Sequence, residues 1–588
     1  MMFRSLLLIC YFFSLFAVPG RAAPTDLLAG GTWYLQKTAD SDAALATVPD
    51  ANAPGGGKEY QQITVNKAVD PVWQTLFGQT VASAVPPGDQ LRLHFWARSS
   101  TLNPMRVVVE QAGAPYTGVA EIKPTLTKEW KEYVATGSPP AFGLKGLGVK
   151  FQIGQQVGVI ELAGIRLDDL GPDPAYVAAR TAIQPAAIQA RIEKYRKGDL
   201  TVSVQDVKGH PVKNASVSVQ QTRHAFLFGA NIFGLNPADT SATQKGYQER
   251  FTRLLNYATL PFYYGAFEGT QGKPDYARLD TMAQWCAAHN IATKGHPLVW
   301  HEVWPAWAPK DADASIPLLH QRVTDIVTHY KPTIHIWDVV NEANGPDVKT
   351  GEGAWIARDG AAKVVGTALT WARAAGQGTP ETFLYNDYNM GDANVALLTQ
   401  MQKDGHLPDV IGLQSHMHGG VWPMQQVWAT CERFAQFGRP LHFTETTVLS
   451  GPKPTDAVTA TNWVTTPEGE NSQADYVAQF YTLLFSHPSV RGITWWDLSD
   501  LNAWQNAPAG LIRKDMSPKP AYTRLMTLIH HDWWTSANGR TDGKGHYKTR
   551  AFYGDYTLTA TDSKGRTVTQ ILTFPEGSPP RNVTLTLP

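Results

Sequence analysis

The stretch IHIWDVVNEANG, Ile334 to Gly345, begins as a buried strand and ends by extending an amide and a carboxyl group, Asn341 and Glu342, from the same backbone. Its apolar positions are Ile334, Ile336, Val339 and Val340. A strand that only filled a core would close in a turn. A strand that delivers polar groups at its C-terminal end fits a parallel sheet whose strand ends form a working face. The pattern recurs on both sides of this stretch. Strand ends are expected at FLFGANIF, NYATLPFYYG, IATKGHPLVW, IHIWDVVNE, TFLYND, VIGLQSH, LHFTET and GITWWDLSD, with amphipathic segments between them. Eight such units predict an α/β fold, a (β/α)₈ barrel over residues 223–536. A doubly wound open sheet would need a glycine-rich phosphate loop after one of these strands, and none has one.

The flanks read differently. Residues 24–171 alternate in short segments such as LRLHFWARSS and EWKEYVAT between Pro and Gly turns, which predicts an antiparallel β-sandwich of jelly-roll type. Trp96 and Trp130 sit on alternating strands and are expected in its core. Residues 172–198 read as a helical linker. Residues 199–222 and 540–588 share one strand-rich style, and neither half can bury a face alone. Together they are expected to form a small split β-sandwich around the barrel.

Composition narrows the function. Lys plus Arg balance Asp plus Glu at 51 each, so no basic stripe suits nucleic acid. Charged residues are 17% of the chain, whereas there are 19 Trp, which favours a ligand recognised through flat apolar faces, as a polysaccharide is. The opening MMFRSLLLICYFFSLFAVPGRAAP pairs Arg4 with an apolar run too short to span a membrane and small residues up to Ala23. Residues 1–23 thus read as a signal peptide, and the chain is expected to be secreted or periplasmic, monomeric and without membrane association after cleavage. Beyond it only Cys286 and Cys431 remain, both in helix-like segments, so no disulfide framework is expected.

Two strand ends carry a carboxylic acid after a polar neighbour: VVNE at Glu342 on the fourth and HFTE at Glu445 on the seventh. These strands face each other across a barrel mouth. A carboxyl pair so placed suits glycoside hydrolysis, with one acid protonating the leaving oxygen and the other meeting the developing oxocarbenium ion, and with no metal or cofactor. Asn341 can hydrogen-bond the 2-hydroxyl of the sugar under attack. Gln414 and His416, two residues apart on the sixth strand, can orient the nucleophilic carboxylate. His296 should reach the same sugar, Trp300, Trp496 and Trp504 should wall the site, and Tyr388 should line the leaving-group side. Trp337 and Asp338 read as barrel packing and a supporting hydrogen bond, while His301 and His418 have no distinct role. The alternative of a metal held by His296, His416 and His418 finds no further metal carboxylates.

In order along the barrel, KGHPLVWH (294–301), WDVVNEA (337–343), NDYN (386–389), IGLQSH (411–416), TET (444–446) and ITWWDLSDLNAW (493–504) resemble glycoside hydrolase family 10, the endo-β-1,4-xylanases and their relatives. The resemblance implies a retaining mechanism with Glu342 as acid/base, Glu445 as nucleophile and a covalent glycosyl intermediate, acting on xylan or a related β-glycan. It also implies that Asn341 contacts the 2-hydroxyl. The N-terminal region more loosely resembles jelly-roll carbohydrate-binding modules, and the split sandwich resembles a carboxypeptidase-regulatory-type module. Two departures stand out. Where the family's second strand carries Glu-Asn and a following Lys, this chain has Phe262, Tyr263 and Tyr264, which are expected to rebuild that subsite by stacking. Thr447 stands where an Asp usually partners the sixth-strand His. These departures open two alternatives to a xylanase, a hydrolase of a different or decorated β-linked polysaccharide and a barrel that binds polysaccharide without cleaving it.

Overall fold

A computed structural model describes residues 24–588 apart from 82, 87, 114, 115, 117, 139–145, 346–348 and 455–462, so the expected signal peptide at 1–23 lies outside the described residues. The chain divides into two compact units, Met1–Ala178 and Ala179–Pro588. Among the described residues, no helix is long and apolar enough to cross a membrane.

The first unit is a sandwich of two antiparallel sheets. One runs in the order Asp42–Pro49, Glu59–Lys67, Gly158–Pro172, Asp89–Ser99, Lys131–Gly137; the other Tyr34–Lys37, Thr75–Thr80, Leu147–Gln152, Arg106–Gln111, Gly118–Ile122. Phe77, Phe95 and Phe151 fill the space between them. Trp96 and Trp130 correct the expectation, because both are half-buried and lie outside this core. Leu91, Leu93, Phe95 and Ala97 take the inward parity of their strand, which turns Trp96 to the other face. Trp130 packs 4.5 Å from the Arg98 guanidinium and edge-on to Tyr60.

The second unit contains a closed barrel of eight parallel strands: β1 (Leu227–Asn231), β2 (Tyr257–Pro261), β3 (Ala292–His296), β4 (Ile336–Asn341), β5 (Thr382–Asp387), β6 (Val410–His416), β7 (Leu441–Thr447) and β8 (Val490–Asp497). Most strand residues are buried, because parallel strands are covered on both faces by side chains inside the barrel and helices outside. Trp337 and Trp495 are fully buried. Trp337 fits only because Gly295 is opposite, where an added Cβ would lie 2.1 Å from the indole. The helices carry their own start signals. In Ala312–Tyr330 the Asp311 carboxylate accepts from the Ala314 N–H at 2.9 Å, and Leu319, Val323, Ile326, Val327 and Tyr330 form the buried stripe. Cys286 and Cys431 are buried free thiols.

The linker region holds two helices, Pro174–Ala182 and Pro185–Tyr195. The chain on either side of the barrel pairs into two small sheets around one core. Lys197–Gln205 pairs with His546–Phe552 and with Arg581–Thr586, and Ser216–His224 pairs with Ser536–Arg540 and with Gly554–Thr561. Arg196 ties this sandwich to the barrel. It is 3% exposed, donates to the carbonyls of Phe485, His487 and Val490, and pairs with Glu576 from the C-terminal half. Burial depresses its guanidinium to about 10, partly offset by the Glu576 charge, so it stays cationic at neutral pH. Arg196→Ala would leave Glu576 without its nearest partner and take the buried guanidinium donor from three carbonyls, of which those of His487 and Val490 keep a second donor. It is expected to cost about 3 kcal/mol of unfolding free energy by urea titration. An unchanged urea midpoint would show that the joint contributes nothing.

Candidate active site

The fourth strand shows why the opening stretch ends as it does. Asn341 is the last residue of β4, its N–H bonded to the Val299 carbonyl at 3.0 Å. Glu342 then turns out of the sheet with φ of 57°, a left-handed conformation that costs a residue with a Cβ about 1–2 kcal/mol. Its N–H stays anchored to the Asn386 carbonyl at 2.8 Å, so the strained turn is held from β5.

Glu342 and Glu445 are joined by a chain of amides. Gln414 Nε2 donates to Glu342 Oε1 at 2.8 Å and to Asn341 Oδ1 at 3.2 Å. Asn386 Nδ2 donates to the same Asn341 oxygen at 2.8 Å and to Glu445 Oε1 at 2.7 Å. The Thr444 hydroxyl in turn donates to Asn386 Oδ1. This corrects the expectation for Gln414, whose amide holds Glu342 and not the opposite carboxylate. Asn386 makes the contact expected of Gln414 and was not singled out, although it lies in the NDYN motif.

The two acids are driven in opposite directions. Burial pushes Glu342 up to about 7, and the charge of Glu445 adds to it, while the bonds from Gln414 and from Trp300 Nε1, at 3.1 Å to Oε2, pull the other way. Glu445 is 4% exposed, and burial alone would raise it too. The hydrogen bond from His416 and the charges of His296, His416 and Lys294 outweigh that and hold it below the ordinary carboxylate range. Below about pH 7 one acid thus keeps its proton beside another that stays ionised.

Glu445 is braced by two imidazoles. His416 Nε2 lies 3.0 Å from Glu445 Oε2, and its Nδ1 lies 2.8 Å from the Thr447 hydroxyl. The carboxylate only accepts, so Nε2 carries the proton, and in the neutral ring the Thr447 hydroxyl donates to Nδ1. Thr447 therefore keeps the histidine oriented without adding a charge. His296 Nε2 lies 3.9 Å from Glu445 Oε1. Its Nδ1 is fixed 2.8 Å from Asp338 Oδ2, and Lys294 Nζ lies 2.6 Å from the same oxygen. All three residues are nearly or fully buried, so Asp338 is a buried counter-ion for the site.

Aromatic rings form the walls. Trp496 is 5% exposed and stands edge-on to His296 and His416, while Trp504 is 45% exposed with its ring 4.5 Å from that of His416. Tyr388, 54% exposed, lies at the rim on the β5 side, within the electrostatic reach of Glu342 and Glu302. Of the three aromatics after β2, only Tyr263 belongs to the mouth, 5.5 Å from His296 and 5.4 Å from Trp300. Phe262 and Tyr264 correct the expectation. Phe262 packs in the core against Phe267, Tyr330 and Trp337, and Tyr264 packs against Trp304, Trp307 and Arg322.

Three further acids were not anticipated. Asp387 accepts from the Tyr385 hydroxyl and, at 3.0 Å, from Asn344, stiffening the loop after Glu342. Asp497 ends β8 beside Asn231. Glu352 is fully buried with no hydrogen bond among the described residues, and burial and the Glu342 charge drive its carboxyl well above the usual range. Among the described residues, the group nearest to a metal-ligand set is His301, Glu302 and Glu342, with donor atoms within 4.8 Å of one another. His416 instead spends both ring nitrogens on Thr447 and Glu445, His296 spends its Nδ1 on Asp338, and His418 stands edge-on to Trp504.

Residues 176–528 match the family described as Glycosyl hydrolase family 10. Among curated proteins, the chain is similar to Anti-sigma-I factor RsgI6 of Acetivibrio thermocellus, 27% identical over 380 residues, covering 63% of this chain and 46% of that protein. It is similar to Endo-1,4-beta-xylanase 1 of Arabidopsis thaliana, 24% identical over 63% of this chain and 37% of that protein. It is also similar to Endo-1,4-beta-xylanase B of Thermotoga neapolitana, 25% identical over 52% of this chain and 87% of that protein. The chain thus spans less than half the length of the first two. Among solved structures, xylanase 10B from Thermotoga petrophila in complex with xylobiose aligns with TM-score 0.45 and 22% identity, over 52% of this chain and 95% of that one.

Proposed function

The chain belongs to glycosyl hydrolase family 10, and from that premise we propose that it is an exported, retaining endo-β-1,4-glycanase acting on xylan or a related β-linked polysaccharide. The observation that carries the reading is the amide chain from Glu342 to Glu445, with its ends held in opposite protonation states. In the first step Glu445 attacks the anomeric carbon as Glu342 gives its proton to the departing oxygen. In the second, Glu342, now ionised, takes a proton from water as the water displaces Glu445, and the configuration is restored. His416 and Asn386 keep the nucleophile aimed, and Asn341, whose Oδ1 is already taken by Gln414 and Asn386, has its Nδ2 left to donate to a sugar hydroxyl. The rings of Trp300, Trp496 and Trp504 exclude water, which sustains the raised acid.

A second reading is a barrel that binds polysaccharide without degrading it, favoured by the similarity to a protein named an anti-sigma factor and not a hydrolase. Reducing-sugar release from xylan, arabinoxylan, mixed-linkage glucan and mannan separates the two. The hydrolase reading expects release from at least one β-1,4-linked polymer. Binding with no release from any would favour the second reading.

A further inference from the structure

Beside the acid pair, the ends of β8, β1 and β2 bring together polar groups that the proposed reaction leaves unused. Asp497 closes β8, Asn231 closes β1, and the two are register partners across the sheet. Asn231 Nδ2 lies 3.5 Å from Asp497 Oδ1, and the Trp504 backbone N–H donates to Asp497 Oδ2 at 3.1 Å. Tyr263, just past β2, stands edge-on to Phe233, and Phe233 stands edge-on to Trp496. A carboxyl, an amide and a phenol are thus set beside the rings of Phe233 and Trp496. Burial pushes the Asp497 carboxyl up to about 6. A carboxylate offers about four acceptor positions, and here one well-formed bond and one marginal contact use only part of them. The unused capacity suits adjacent hydroxyl groups.

The order of the strands says which part of a substrate would meet this cluster. With the acids on β4 and β7, strands β5 and β6 lie to one side and β8, β1, β2 and β3 to the other. Tyr388 on the β5 side feels the charges of Glu342 and Glu302, the side from which a protonated leaving group departs. Across the mouth, Tyr263 lies 5.5 Å from His296, whose Nε2 is 3.9 Å from Glu445 Oε1, and Trp496 beside Phe233 stands edge-on to His416, which bonds the same carboxylate. The cluster therefore lies where the retained sugar chain continues past the ring attacked by Glu445. Phe262 and Tyr264 pack away from the mouth, so of the three aromatics after β2 it is Tyr263 that can offer that sugar a hydroxyl.

We propose that Asn231, Tyr263 and Asp497 bind the second sugar on the retained side of the cleavage point, taking a neutral β-linked sugar by its adjacent hydroxyls and disfavouring one that carries a uronic acid. Asp497 is the specificity-determining acceptor, and Asn231 and Tyr263 supply donors. The inference rests on the glycosidase reading.

The test compares kcat/KM for aryl glycosides with one and with two β-1,4-linked sugars, in the wild type and in Asp497→Ala, Asp497→Asn and Asn231→Ala. The two-sugar to one-sugar ratio is expected to fall about tenfold or more in Asp497→Ala and about threefold in Asn231→Ala, as a site stripped of a hydroxyl partner loses its preference. Asp497→Asn keeps an acceptor for the Trp504 N–H and is expected to lower the ratio by about threefold, so a disturbed loop in the alanine variant does not decide the outcome. A purely structural role would lower both substrates together, and an unchanged ratio in all three variants would overturn the proposal. If the wild type cleaves neither series, the glycosidase reading has failed, and this inference falls with it.

Discussion

Glu445→Ala is expected to lower kcat/KM on the best polysaccharide by about 10⁴-fold or more, because the proposed reaction loses the carboxylate that would form its covalent intermediate. The loss should be largely in kcat, since the rings and hydroxyl-binding groups that hold the sugar remain. Sodium azide offers a check specific to a nucleophile. A small anion can enter the space left by the carboxyl, between His416 Nε2 and Asn386 Nδ2, which both point there. On an aryl β-glycoside with a good leaving group, azide should restore turnover and yield the α-glycosyl azide, the product of one displacement instead of two. Residual activity within tenfold of the wild type, or a β-configured azide product, would remove the nucleophile assignment.

How far the sequence discloses this site depends on what each residue's neighbours contribute. The barrel is legible because each parallel strand is buried on both faces, so it reads as an apolar run that ends in polar residues, and Asn341-Glu342 is the clearest case. Parity is present in the sequence but does not say which face is buried: Leu91, Leu93 and Phe95 turn inward and place Trp96 on the other face, against the expectation of a core residue. Gln414 is not legible either. It shares a parity with His416, but the register with β7 shifts between Leu413 and Gln414, and its amide meets Glu342 from β4 instead of Glu445. A one-residue slip in pairing leaves no mark on the pattern of residue types. Phe262, Tyr263 and Tyr264 show a second limit. β2 ends at Pro261 and a short helix, Tyr264–Phe267, begins three residues later, so neither strand nor helix periodicity governs which ring faces the mouth. Asn386 and Asp497 escape notice for a third reason. Each looks like an ordinary strand-end polar residue until partners on other strands converge on it.

Glu342→Gln is expected to remove most activity on polysaccharide, about 10³-fold, because a sugar leaving group needs its proton, and much less on an aryl glycoside with an acidic phenol. The pH profile carries the sharper expectation. In the wild type, kcat/KM should fall on the alkaline side with an apparent pKa near 7, the value to which burial and then the Glu445 charge raise this acid. In Glu342→Gln that limb should vanish, since the amide does not titrate. Stability follows with the opposite benefit. The carboxyl has an ordinary value of 4.5 and a folded value of about 7, so the folded state binds its proton more tightly than the unfolded chain. The stability gained from that proton is complete below about pH 4.5 and lost as pH rises through 7, up to on the order of 3 kcal/mol. Glutamine does not suffer this loss. The variant's melting temperature, compared with the wild type at pH 4 and at pH 8, should therefore gain relative to the wild type as pH rises. A constant difference across that range, together with an alkaline limb that survives in the variant, would show that Glu342 is not the raised acid. The left-handed backbone at Glu342 and its desolvated carboxyl both oppose folding. In the proposed reaction they have a use, since proton donation near neutral pH needs an acid held out of water and aimed across the mouth at a leaving oxygen.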